Sequence, residues 1–157
     1  ACKYPVIRRM VLQDPDPPAE WVLWFDDDSY LDGGPGWWLR LLAASQKADM
    51  LGQVWFQHMR GRQWEWISQQ AWFNPKVGKP KNGRFAFCTG GWWMFKSALM
   101  RQYDWPSPAL RHRGGDSLTG ELCRHQGLKI VKFDDGVGYL DFGHEMPFRS
   151  WIRLQAV

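Results

Sequence analysis

The sequence predicts an α/β protein with a mostly parallel sheet flanked by helices. Three observations carry that prediction. Short apolar runs of strand length alternate with stretches of helical periodicity through most of the 157 residues. The run Trp21-Val22-Leu23-Trp24-Phe25 is apolar at every position, as a strand covered on both faces would be. The composition, 45% hydrophobic and 23% charged, is enough for one packed core and fits a single domain over residues 1–157.

Taken in order, Val6, Ile7, Met10 and Val11 recur at helical spacing over Tyr4 to Gln13, and the proline run 15–18 stops that helix. The Trp21–Phe25 strand ends at three aspartates. After the turn at Gly33-Gly34-Pro35-Gly36, Trp38, Leu41, Leu42 and Ser45 mark a helix over residues 37–47. Gly52 to His58 reads as a strand, and Trp64, Ile67, Ala71 and Trp72 as an amphipathic helix. Residues 74–83 are rich in Lys, Pro and Gly and read as a mobile loop. Two short strands flank Gly90-Gly91, and Ser97 is placed to cap a helix to Tyr103. After a loop over 104–115, Asp116 stands as an N-cap, Leu118 and Leu122 share a helix face, and Gly127 is the stop. Lys129 to Phe133 is a last strand, followed by loop from Gly136.

Twenty bases against 16 acids leave +4, a mild excess that does not indicate a nucleic-acid partner. No run approaches the roughly 18 apolar residues of a membrane span, and the N-terminus lacks a signal-peptide pattern. Three cysteines without CxxC spacing argue for reduced thiols and hence a cytoplasmic setting. The outlying number is 12 Trp, a side chain that fills cores and also stacks on sugars.

Asp26-Asp27-Asp28 is the most informative feature. Open α/β sheets bind ligands at the carboxyl ends of their strands. Adjacent carboxylates repel by about 4 kcal/mol at ~4 Å and an effective dielectric near 20, a cost that a divalent cation removes. Hard oxygen donors suit Mg²⁺ or Mn²⁺ bridged to the phosphates of a substrate.

The run from Trp21 to Ser29 resembles the strand and DxD motif of GT-A glycosyltransferases of the family 2 type. A second stretch is similar to the family's Gly-Gly strand, helix, acceptor loop and acidic motif opening a helix. It comprises Thr89-Gly90-Gly91-Trp92-Trp93 through Leu99, Asp104-Trp105, and Gly115-Asp116 through Gly127. Together these cover most of residues 20–145.

The resemblance implies sugar transfer from a nucleotide-diphosphate donor to an acceptor hydroxyl on a carbohydrate or other molecule. It gives Asp26 the donor's ribose and sugar, Asp28 the metal bridging to the diphosphate, and Asp27 a share in either role. Asp116 corresponds to the general base. Gly90, Gly91, Trp92 and Arg113 fall on the acceptor side, with Trp93 turned into the core. His144 stands where some GT-A enzymes supply a histidine to the metal. Lys76, Lys79, Lys81 and Arg84 are candidates for the diphosphate.

Three departures accompany these matches. Gly115 occupies a position where the family usually has an acid. Phe148-Arg149-Ser150-Trp151 replaces the Gln-x-x-Arg-Trp of processive synthases, which argues against polymerisation. Only 25 residues precede Asp26, so the nucleotide-base-binding strands are expected upstream and the chain reads as the C-terminal part of a longer enzyme.

Two rivals remain open on sequence: a metal-dependent phosphoryl-transfer enzyme or nuclease using Asp26, Asp28 and His144, and a noncatalytic carbohydrate-binding module with tryptophan platforms.

Overall fold

The computed structural model describes residues 3–13, 19–26, 28–103 and 115–139. The chain opens with α1 (Lys3–Gln13), β1 (Trp21–Phe25) and β2 (Ser29–Leu31), followed by α2 (Trp37–Ser45), β3 (Met50–His58) and α3 (Gly61–Ser68). A single 3₁₀ turn at Lys81–Gly83 leads into β4 (Arg84–Lys96), α4 (Ser97–Gln102), α5 (Gly115–Gln126), β5 (Ile130–Lys132) and β6 (Val137–Tyr139).

The α/β class holds, but the sheet is mixed rather than mostly parallel. Its order is β1-β4-β3-β5, with β4 antiparallel to both neighbours and only β3–β5 parallel. Alternation of strands and helices does not fix strand direction, because a helix can return the chain to the end it left. Here α3 has eight residues, about 12 Å, too short to cross back along the nine-residue β3. The Met59 amide donates to the Gly83 carbonyl at 2.7 Å, closing the whole connection as one long hairpin.

Alternate side chains of the sheet feed two layers. On one face Val22, Trp24, Met50, Trp93 and Phe95 meet Ile7 and Val11 of α1, Ile67 of α3, Met100 of α4, and Leu118, Leu122 and Cys123 of α5. On the other, Leu23, Phe25, Leu51, Trp92 and Met94 meet Trp37 and Leu41 of α2 and Phe133 and Val137 near the chain's second sheet.

Several expectations change. The α2 helix turns Trp37, Leu41 and Ser45 inward, and leaves Trp38 and Leu42 at the surface. The expected strand pair around Gly90-Gly91 is one strand of 13 residues. Ser97 does not cap α4; its hydroxyl donates to the Ala19 and Glu20 carbonyls and ties the helix start to β1. Asp116 lies inside the first turn of α5 rather than before it. Gly127 ends that helix as expected, with φ +66° and the Leu128 amide donating to the Cys123 carbonyl at 2.8 Å. Residues 137–139, read as loop, form a strand against the unforeseen β2. No helix among the described residues is long and apolar enough to cross a membrane.

Candidate functional site

The site begins where β1 ends. Phe25 pairs with Trp92, and the next amide, Asp26, donates to the Gly91 carbonyl at 2.8 Å. The Ser29 amide donates to the Asp26 carbonyl at 3.0 Å and closes a four-residue turn. The Ser29 hydroxyl donates to the same Gly91 carbonyl at 2.8 Å. One glycine carbonyl therefore holds both ends of the acidic turn.

Within that turn the Asp26 carboxylate accepts a hydrogen bond from Trp24 Nε1 at 2.7 Å. Trp24 and Asp26 sit two residues apart on one face of the strand, and the Trp24 ring stacks on Trp93 with centroids 6.3 Å apart. Asp28 is 8% exposed, so its carboxylate lies within the fold rather than on a solvated loop. Asp27 lies outside the described residues, as do Arg113, His144 and Asp104.

Gly91 carries this load because β4 bulges there. Gly52 of β3 faces Trp93, yet Val54 faces Cys88, so Gln53 alone lies opposite residues 89–92. Three extra residues push the glycines out of the ladder toward the acidic turn, a device that re-aims backbone at a sheet's functional edge.

Asp116 lies in the first turn of α5, a helix packed against β4 just before the bulge. Burial chiefly, then the charges of Cys123 and Asp116, push the Cys88 thiol well above its ordinary range. Helix α5 packs closely because Gly120 lies against β4, and Gln57 Nε2 donates to Ser117 Oγ at 3.1 Å. The acidic turn, through Gly91, and α5, with Asp116 in its first turn, thus both meet β4. At the helix N-terminus an anion is favoured by roughly 0.3–1 kcal/mol.

Trp92 is a correction. Its ring is 0% exposed, stacked on Phe25 at 6.0 Å and edge-on to Trp37 and Phe133. Trp93 is equally buried on the opposite face, so neither indole offers a platform to an acceptor. Trp38 is the one exposed indole among the described residues, at 50%.

Lys76, Lys79, Lys81 and Arg84 also stand elsewhere than expected. Val54 and His58 pair with Cys88 and Arg84, so the β3–β4 arm continues four residues past the bulge, about 13 Å at the usual strand rise. Arg84 lies at its far end, away from the acidic turn, with Lys79 lining a pocket there beside Met59 and Gly83. The loop that carries the three lysines is tied down. Arg124 donates to the Gly78 carbonyl at 2.8 Å, and His125 Nδ1 lies 3.0 Å from the Asn74 carbonyl.

A buried polar cluster behind the site was not legible as such. Glu121, 0% exposed, accepts two hydrogen bonds from Arg124 at 2.8 and 2.6 Å, with His125 Nε2 3.6 Å away. Its signal was the i, i+3, i+4 spacing of three ionisable residues on a helix.

The carboxylate oxygens of Asp26 and Asp28 are hard donors at one turn, a donor set that fits a Mg²⁺ or Mn²⁺ ion. No group of three or more His, Cys, Asp or Glu side chains at metal-binding spacing occurs among the described residues. Compared with known proteins, the chain matches no family model and no curated protein sequence.

Proposed function

We propose that this chain is the catalytic, acceptor-side portion of an inverting, metal-dependent glycosyltransferase of the GT-A type. The observation that carries the reading is the convergence on β4. The acidic turn is held by Gly91 of β4, and α5, with Asp116 in its first turn, packs on the same strand. A transferase needs a donor-holding group and a base facing a small reaction space, and the elements that carry the two candidates both contact one strand here.

In this reading Asp26, oriented by Trp24, accepts hydrogen bonds from donor hydroxyls, and Asp28 with Asp27 holds a divalent cation. When bound, that cation neutralises the diphosphate and makes it a better leaving group. Asp116 takes the proton of the acceptor hydroxyl as its oxygen attacks the anomeric carbon from the face opposite the diphosphate. The bond from anomeric carbon to phosphate oxygen breaks, so configuration inverts. Trp92, Trp93 and Phe25 exclude water beneath the turn.

Calorimetric titration of Mn²⁺ in the presence of a nucleoside diphosphate tests the reading. Binding of one cation that Asp28→Ala weakens at least tenfold is expected. Unchanged affinity in that variant removes the donor site, and two cations bound without nucleotide favour a phosphoryl-transfer enzyme instead.

A further inference from the structure

The positive charge of this chain is concentrated in one place. Residues 58–84 hold six Lys or Arg (Arg60, Arg62, Lys76, Lys79, Lys81 and Arg84) against the single acid Glu65, a local net of +5. The whole chain carries +4, so the other 130 residues sum to −1. Sequence-wide arithmetic hides this asymmetry. The fold brings Arg60, Lys79 and Arg84 to one end, because β3 finishes and β4 begins there, the Met59–Gly83 hydrogen bond draws the flanks together, and Arg60 and Lys79 line one pocket with Met59 and Gly83.

All six cations are exposed, and none makes an ion pair with a described residue. Three of them are held in place all the same. The Arg62 guanidinium lies 5.2 Å from the Trp66 ring centre, Lys79 Nζ 5.7 Å from that of Trp64, and the Arg84 guanidinium 5.8 Å from that of Phe56. Cation–π stacking orders long side chains that would otherwise sweep freely, while leaving their N–H donors available. Phe56, 59% exposed on the same arm, adds an apolar face beside Arg84.

We infer that this arm is a docking surface for an extended anionic glycan, a chain bearing carboxylate, sulfate or phosphate groups. The inference rests on the glycosyltransferase reading for the choice of a glycan over other polyanions. A convergent field of +5 raises the local concentration of a polyanion, whereas a neutral acceptor gains nothing from it. The arm's tip stands about 13 Å along the strand from the glycine bulge, so an extended acceptor anchored at the tip reaches the acidic turn with its end. The patch thereby selects anionic acceptors without touching the reacting atoms.

The test is fluorescence anisotropy of the full chain with three labelled probes: a sulfated oligosaccharide, its desulfated neutral counterpart, and a single-stranded DNA of matched charge. The sulfated probe should bind, weaken as salt rises, and outcompete the other two. The triple variant Lys76→Glu/Lys79→Glu/Lys81→Glu should lose affinity about tenfold or more. Its Gln counterpart, with circular dichroism unchanged from the parent, should fall between. Equal binding of sulfated and neutral probes, unchanged affinity in both variants, or tighter binding of DNA overturns the inference. Mn²⁺–nucleotide titration of the same sample separates the two readings. Retained nucleotide binding without glycan binding overturns the docking surface alone, and sulfated-glycan binding that persists in Asp28→Ala supports a surface distinct from the donor site.

Discussion

Gly120 faces the Ala86 carbonyl with no room for a methyl group: a Cβ there would lie 2.2 Å from that oxygen and 2.6 Å from Phe87 Cβ. This contact lets α5, with Asp116 in its first turn, lie directly against β4. Gly120→Ala gains up to ~1 kcal/mol of helix propensity, but must push a backbone carbonyl aside. Overpacking of this kind costs about 1–3 kcal/mol. A net loss of stability in urea denaturation is expected, with a larger fractional loss of transfer activity as Asp116 is displaced.

Trp24→Phe preserves an aromatic ring against Trp93 and removes the Nε1 donor to Asp26. Hydrogen bonds to charged groups contribute about 1.5–3 kcal/mol. Donor affinity should fall roughly 10- to 100-fold in a calorimetric titration, with the melting temperature nearly unchanged. Equal affinity in the variant would show that the indole has no part in orienting the carboxylate.

Arg124 is the counter-charge of a carboxylate that water does not reach. Arg124→Met leaves Glu121 buried and unpaired, a change that typically costs about 3–5 kcal/mol. The double variant Arg124→Met/Glu121→Gln should recover much of that loss. Denaturant midpoints of the two proteins give the comparison.

His125 is held neutral. Burial chiefly, and then the Arg124 charge, lower its pKa from the ordinary 6.5, with Glu121 and Asn74 opposing in part. The unfolded chain therefore binds a proton at a higher pH than the native one. The stability from neutral His125 is present above about pH 6.5 and declines as pH falls below it toward the lower native value. Urea midpoints at pH 7.5 and pH 5.5, taken roughly one unit either side of 6.5, should differ in the parent. The difference should shrink in His125→Gln.

Asp116→Asn separates two roles of one side chain. As a first-turn anion its loss costs at most about 1 kcal/mol, whereas a positioned base contributes about 10²–10⁴-fold to rate. A stable protein that binds donor yet transfers 10²–10⁴-fold more slowly is the expected outcome. Near-normal transfer would move the base to another acid, with Asp104 next to test.

The sequence by itself determined the elements whose cause is local. The Trp21–Phe25 run read as a strand and is one, although as an edge strand it is half-buried rather than covered on both faces. Gly127 stopped α5 because its φ of +66° is costly for residues with a Cβ, and the acidic triplet stood out at the end of an apolar run. Strand direction, and which of two adjacent indoles or leucines faces the core, was decided by tertiary structure. The periodic pattern 37–45 admits two inward stripes, and contact with Trp92 and Phe133 selected the one containing Trp37. The Lys-rich loop looked mobile because the Glu121–Arg124–His125 cluster that holds it lies over 40 residues away in sequence. The bulge at Gly91 likewise depends on where β3 pairs. Long-range pairing and packing alone fix such features, since a residue's own spacing records its periodicity but not its partner.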